Sequence, residues 1–302
     1  MMNKKILTAF LIIMAAGMNL HSSPNGPEIK VSGVLDWEKN EMEAVFDLDL
    51  NSINARFPAG RSQAEEILRD EFPGLMKPLL LNLQADSSST VEDLIMRGEL
   101  GLRNLDEVCN TAIRIPPNFS ADLTRFTGKY SMRISQAGAA MIRHRSAGEP
   151  DRPVLPVPAA NYTGIIIIAN NFLPVHGRNI TELLRPCLFP KIWDSGMNLI
   201  YEKNMTDPSI SGTGRNGLVR YAKGESIFRP TPSGLDPELA MLVGDRPLRI
   251  FAASVFGAVP TDPIIDRADA QLILANENNR RLLREGRIAI IINDTLLQQK
   301  LP

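Results

Sequence analysis

This sequence of 302 residues is poor in the side chains that most catalytic and binding sites require. It contains 3 histidines and 2 cysteines, and aromatic residues make up 6% of the chain. The 33 lysines and arginines are balanced by 34 acidic residues, which gives a formal net charge of −1. Proteins that bind nucleic acids usually need a basic excess to neutralise phosphates. The composition therefore argues against a nucleic-acid partner and is typical of an ordinary globular protein.

The few cysteines and histidines are scattered along the chain. Cys109 and Cys187 are able to pair in an oxidising compartment, but their spacing gives no evidence that they do. Two small buried side chains that never meet are the favoured interpretation. His144 and His176 stand apart from each other, and two isolated histidines are weak material for a zinc site. The sequence predicts no metal and no cofactor.

Only one apolar stretch reads as a targeting signal, and it lies at the N-terminus. Lys4 and Lys5 precede an apolar run over 6–17, which small and polar residues follow. This order is typical of a secretory signal peptide, which we assign to 1–22. A bilayer span needs about 20 apolar residues, so the run is too short to be one. We expect an exported protein, periplasmic or outer-membrane-associated, with no transmembrane span in the mature chain.

Catalytic motifs are also lacking. The glycines of "GTGRNG" (212–217) have dinucleotide-loop spacing, but neither a strand before them nor a helix after them is predicted. A turn-forming loop explains these glycines better. Ser211 lacks the surroundings of a nucleophile elbow, and His176 has no obvious acid to orient it. The sequence therefore predicts a protein that is not an enzyme.

The N-terminal part reads as an α+β domain over 28–145. Polar and apolar residues alternate through 28–37 and 41–50, which predicts a hairpin of half-buried strands. Helices should follow, the first starting near Ser62 and stopped by Pro73 and Gly74. A second helix is expected over 74–85, and Ser89 or Thr90 should cap a third. The helices would form a layer against the hairpin, with a further strand over 123–136.

Four prolines between 150 and 158 predict a linker over 146–160, because proline removes a backbone donor and favours extended chain. A second α+β domain should occupy 161–302. Its most conspicuous segment is the run of four isoleucines at 165–168, followed by Asn170 and Asn171. Four residues cannot span a bilayer, and consecutive β-branched residues suit a strand buried on both faces. We expect a central strand that ends at the two asparagines.

The rest of this domain is predicted as a mixed sheet with one long helix packed across it. A hairpin should turn at 194–196, and 246–258 and 287–294 should contain strands. The helix is expected to begin at Asp266 and to end at Gly286. Asn279 interrupts its apolar stripe, so a buried Asn279 should be hydrogen-bonded to a neighbouring backbone group.

Taken in order, the C-terminal segments resemble the Lpp-twenty lipoprotein family and the related domain of the flagellar assembly protein T. The resemblance covers roughly 160–294 and rests on a Tyr-Thr-Gly strand, a hairpin that ends in tyrosine, and a final helix. Its matching residues are Tyr162, Thr163, Gly164, Pro190, Ile192, Asp194, Tyr201, Asp269, Ala270 and Asn279. Two features depart from that pattern: Ile168 stands where relatives often have an acid, and the lipobox cysteine is missing.

The resemblance implies a non-enzymatic envelope protein that acts through protein–protein contacts, with envelope or flagellar proteins as partners. Trp193 and Tyr201 are the candidate interaction surface, since aromatic residues with a polar handle are favoured at interfaces. Packing of both rings inward is the alternative. A periplasmic module that binds cell-wall material or an ion is the second hypothesis for function, and a periplasmic hydrolase is the third.

Overall fold

The computed structural model describes residues 26–56, 58, 60–142, 148–150, 157–207 and 218–301. Within these residues helices and strands occur in both halves of the chain, so the predicted α+β class is correct. The predicted signal peptide, the glycines of 212–217 and most of the proline-rich linker lie outside the described residues.

The first sheet has five antiparallel strands in the order β16-β1-β2-β6-β5. The strands are β1 (Ile29–Asp36), β2 (Glu41–Asp49), β5 (Ile113–Phe119), β6 (Arg125–Arg133) and β16 (Gln298–Leu301). The predicted hairpin is confirmed as β1 and β2, and β2 alternates buried and more exposed residues because one face packs on the core. The edge strand β5 was not predicted, and it carries Pro116 and Pro117, which an edge tolerates.

One long helix covers this sheet where two had been expected. Helix α1 (Gly60–Leu81) continues through Pro73 and Pro78, so the predicted stop at Pro73 is wrong. Its buried side chains recur at three- and four-residue steps that span the prolines, so a single apolar stripe faces the sheet. Phe72 belongs to this stripe and stacks on Tyr130 of β6 at 4.2 Å between ring centroids. Burial of the stripe outweighs the backbone hydrogen bonds that the prolines remove.

Three short helices complete the first half. They are α2 (Val91–Met96), α3 (Leu102–Cys109) and α4 (Ile134–Ala140), and a two-stranded ladder of β3 (Gln84–Asp86) and β4 (Ser89–Thr90) precedes them. Thr90 caps α2 as predicted: its hydroxyl accepts from the Asp93 backbone N–H, and the Asp93 carboxylate accepts from that of Thr90. This reciprocal pair is a capping box, which satisfies two backbone donors at the helix start.

The second sheet has seven strands and mixed direction, in the order β11-β10-β14-β13-β7-β15-β12. The strands are β7 (Ile165–Ile168), β10 (Ile192–Asp194), β11 (Leu199–Tyr201), β12 (Arg220–Ala222), β13 (Leu248–Phe256), β14 (Asp262–Ile265) and β15 (Ile288–Ile291). A small ladder of β8 (Leu173–Pro174) and β9 (Thr181–Glu182) extends it, because Val175 bridges to Val255 just beyond β8.

The isoleucine run is the central strand that was predicted. β7 pairs in parallel with β13 on one side and with β15 on the other. Ile165 and Ile167 face the core shared with the first half, while Ile166 faces a second apolar cluster. The strand is therefore buried on both faces, which explains a continuous apolar sequence in place of an alternating one.

Helix α5 (Pro237–Val243) is held against one face of this sheet by the Tyr-Thr-Gly segment. The Thr163 hydroxyl donates to the Val243 carbonyl at 2.8 Å. A Cβ on Gly164 would lie 2.5 Å from Val243, so only glycine permits this approach. Gly244 ends the helix at φ 74°, a backbone region that glycine adopts without strain.

The expected long helix is broken into two, so that prediction is wrong. Helix α6 (Arg267–Leu274) ends before Asn276, and Asn276 caps α7 (Glu277–Arg284) by accepting from the Asn279 backbone N–H. Asn279 is buried as anticipated, and its amide donates to the carbonyls of Ala160 and Leu272. The break leaves the Leu272 carbonyl without the backbone donor that a continuous helix would have given it. The Asn279 side chain donates to this carbonyl instead.

The two halves share one hydrophobic core and are joined by backbone hydrogen bonds. The N–H groups of Leu188 and Phe189 donate to the carbonyls of Gln84 and Ala85 at 3.0 and 2.8 Å. The chain also returns at its end, because β16 pairs with β1 in the sheet of the first half. Residues 298–301 had been grouped with the second domain, and their pairing places them in the first sheet.

Candidate functional site

One face of the seven-stranded sheet is covered at one end and open at the other. At the covered end, α5 and the 3-10 turn Gly224–Ile227 bury Ile166, Ala289 and Ile291 completely. At the other end the same face carries aromatic side chains that no helix covers among the described residues. We call these residues the open face; they are Phe172, His176, Trp193, Phe251 and Phe256.

Strand register places the open face beside the covered end. Phe251 pairs with Ile168 and Arg249 pairs with Ile166, and residues paired across strands point to the same side of a sheet. Phe251 is nevertheless 72% exposed, whereas Ile166, two residues before the Ile168 that pairs with Phe251, is 0% exposed. The change from core to solvent therefore occurs within a single pair of strands.

Three rings of the open face contact one another in a row. The Trp193 and Phe256 centroids are 5.9 Å apart, and those of Phe256 and His176 are 6.1 Å apart, both edge to face. His176 is held in place by its backbone N–H, which donates to the Val255 carbonyl. Phe172 is 68% exposed and directly precedes β8, the short strand that leads to His176.

A buried acid fixes the tryptophan of this row. Asp262 is completely buried, and its carboxylate accepts from the Trp193 indole N–H at 3.4 Å and from the Lys191 backbone N–H at 3.1 Å. The Thr261 hydroxyl donates to the same carboxylate at 3.0 Å. Burial raises the pKa of the Asp262 carboxyl, although these donors oppose the shift. Asp262 thus orients the ring and is itself shielded from solvent.

The two residues predicted as an interaction surface separate in the structure. Trp193 belongs to the open face and is partly exposed. Tyr201, on the neighbouring hairpin strand, is 1% exposed and shares a hydrogen bond of 3.1 Å with the Thr206 hydroxyl. Burial raises the pKa of Tyr201 to about 12. Tyr201 is therefore a core residue, and the inward packing that was the alternative applies to it.

Sequence reasoning missed the phenylalanines of the open face. Phe251 occurs in a strand where apolar residues are frequent, so the residue type alone predicts a buried position. Strict alternation along the strand was the available signal, since Leu248 and Ile250 are buried while Arg249 and Phe251 are exposed. Arg249 indicated which set faces outward.

Positive charge borders the open face. Arg249 is exposed on β13, and its guanidinium donates to the Ser233 carbonyl at the edge of the covered end. Arg178 is exposed in the turn after His176. An apolar centre with a charged border is the usual layout of a protein–protein interface.

Other kinds of site find little support within the described ranges. There, the structure brings together no group of three or more histidine, cysteine or acidic side chains able to hold a metal ion. No helix of the described chain is both long and apolar enough to cross a bilayer. Cys109 and Cys187 are both free and buried, so the pairing left open by the sequence does not occur in this structure.

Comparison with known families finds one matching model in each half of the chain. Residues 28–140 match a family model described as the N-terminal domain of Treponema pallidum Tp0624. Residues 164–294 match the model of the second domain of that protein. The two matches follow the order that the descriptions give. None of the curated proteins compared with the chain matches it.

These matches overturn the resemblance inferred from the sequence. The models that match are Tp0624 domains, and neither the Lpp-twenty family nor the flagellar assembly protein T is among them. The segments that suggested the resemblance have structural explanations here. Thr163 and Gly164 pack against α5, and Asp194 closes a hairpin by accepting from the Asn198 backbone N–H. Asn279 donates to a carbonyl at the break between α6 and α7.

Proposed function

We propose that this chain is an exported, non-enzymatic envelope protein that binds a protein partner through the open face. The observation that carries the proposal is the contrast along one sheet face, where Phe251 stays 72% exposed beside a fully buried end. Large exposed apolar groups gathered on one surface are typical of interaction sites. Export rests on the charged and then apolar order of residues 1–22.

The open face supports a protein partner better than a small ligand. Its rings lie along a sheet surface, whereas small-molecule sites are concave. Trp193 is oriented by Asp262, so its ring loses little freedom on binding. The partner should present an apolar segment flanked by acidic residues, because Arg178 and Arg249 border the site.

Paired substitutions test this proposal. Phe251→Asp places a charge in the centre of the open face and should abolish binding. Met241→Asp is the matched control, because Met241 is 76% exposed but lies on α5 over the covered end. Both variants should keep the wild-type circular dichroism spectrum, since each replaced side chain is mostly in solvent.

The measurement is in-cell chemical crosslinking of tagged full-length chain, with adducts identified by mass spectrometry. Wild type and Met241→Asp should give the same crosslinked partner, and Phe251→Asp should lose it. Equal recovery from all three proteins would contradict a role for the open face.

A further inference from the structure

A small cavity lies where the two halves meet, at β12, the edge strand of the second sheet. Its volume is about 10 Å³, room for one water-sized group. The first half contributes Trp37, Asn40 and Ser135, and the second half contributes Arg220 and Tyr221. The Trp37 and Tyr221 rings meet edge to face with centroids 5.3 Å apart, which fixes one wall.

Two residues of the cavity lining, Trp37 and Arg220, carry buried donors without a partner in the described chain. Trp37 is 4% exposed, and its indole N–H has no hydrogen-bond partner among the described residues. The Arg220 Nε–H is likewise buried without a partner in the part of the chain that the structure describes. An unpaired buried donor costs about 1–3 kcal/mol, so two around one cavity call for a shared acceptor.

The remaining polar groups are committed elsewhere. The Tyr221 hydroxyl accepts from the Cys187 backbone N–H and donates to the Cys187 carbonyl, both at 3.1 Å. Asn40 donates to the Ser135 hydroxyl at 2.7 Å and accepts from the Ser135 backbone N–H at 2.9 Å. Because its oxygen already accepts, the Ser135 hydroxyl is placed to act as a third donor.

Charge favours an anion over a water molecule. Arg220 donates weakly to the Glu38 carbonyl at 3.5 Å, and no carboxylate lies within 4 Å of its guanidinium among the described residues. Burial is the main cause that lowers the pKa of Arg220, with the charge of Arg133 adding to it and that of Glu238 opposing it. Water would satisfy the donors, but only an anion would also neutralise the cation.

We infer that the cavity is a binding site for a monatomic anion of chloride size, held by Trp37 Nε1, Arg220 Nε and the Ser135 hydroxyl. The ion bridges residues of both halves, so it stabilises their junction. This inference is independent of the proposed partner and of the open face.

Halide binding is measured first on the wild-type full chain. Raising chloride at constant ionic strength, with gluconate as the bulky replacement, should raise the Tm by about 2–4 °C. In crystals grown with bromide, an anomalous peak should occupy the cavity. Absence of both the chloride-specific rise and the bromide peak would overturn the inference and leave water as the occupant.

Variants separate this site from general salt effects. Trp37→Phe removes one donor with little change in shape, and Arg220→Met removes the charge, so each should lose the chloride-dependent rise. Arg229→Met is the matched control. Its Nε also lacks a hydrogen-bond partner among the described residues, but the Asp236 carboxylate lies 3.9 Å away. If the Arg220 variant keeps the full chloride response, the inference is wrong, even where Trp37→Phe fails to fold.

Discussion

The two ends of one sheet face differ in what covers them, although both are built from apolar residues. At the covered end, Leu235, Leu239 and Val243 seal Ile166 and Ile291 from water. At the open face, Phe251 and Phe172 stay in contact with solvent. Folding explains the apolar residues of the covered end, because burial of their apolar area stabilises the folded state. It does not explain the second, and binding of a partner is the reason that we propose.

The largest expected effect is the difference in the free energy of unfolding between a truncation at the covered end and a truncation at the open face. Ile166→Ala should lower the free energy of unfolding by about 2–4 kcal/mol, because it leaves a cavity in a packed core. Phe251→Ala should change it by less than about 0.5 kcal/mol, since little packing is lost at the surface. Urea unfolding of both variants measures the difference. Comparable losses at the two positions would mean that the open face is part of the folding core.

The acid beneath the open face should give a pH dependence of defined sign. Burial raises the Asp262 pKa above its ordinary value of 3.8. Relative to Asp262→Asn, the stability that Asp262 contributes is therefore fullest below pH 3.8 and declines as the pH rises through the raised pKa. Urea unfolding of both proteins from about pH 3 to 7 should show the free energy of unfolding of the wild type falling relative to that of the variant as the pH rises.

Asp122 provides the control of opposite sign. Hydrogen bonds from Ser120 and Thr124 lower its pKa to about 2, and the side chain is exposed. Its stabilising contribution is present above pH 3.8 and is lost as the pH falls through about 2. Relative to Asp122→Asn, wild type should therefore lose stability on acidification. Parallel curves for the two positions would refute the burial of Asp262.

The smallest expected effect is the alkylation rate of the two cysteine thiols, which are both buried. Burial raises the pKa of Cys109 to about 11 and that of Cys187 further, so little thiolate forms at neutral pH. Native protein should resist alkylation at about pH 8, and denatured protein should react at both thiols. Rapid labelling of Cys187 in the native state would show that the junction of the halves opens readily.

Local patterns predicted much of this fold. The isoleucines required a strand buried on both faces, the alternation of 41–50 gave the hairpin, and Thr90 gave a helix start. These features depend on periodicity and capping, which act over a few residues. The prediction that Asn279 would bond to backbone also succeeded, because a buried amide has few alternatives.

Long-range packing explains the failures. Pro73 did not stop α1, because its apolar stripe continues on both sides. Strand β16 is short and polar, and only its pairing with β1 makes it part of a sheet. The alternation along β13 predicts which residues face outward, but the open face also depends on how much of the sheet α5 covers, and that is set by long-range packing. Trp193 and Tyr201 were grouped by side-chain chemistry alone, and the structure leaves Trp193 partly exposed and buries Tyr201. Phe251 was not predicted.

The most direct test of the central claim compares photocrosslinking at two equally exposed positions. A photoreactive phenylalanine analogue placed at 251 samples the open face, and the same analogue at 241 samples the surface of α5. In cells that export the full chain, irradiation should yield one discrete protein adduct from position 251 and none from position 241. Adducts of equal yield at both positions, or none at 251, would contradict the account.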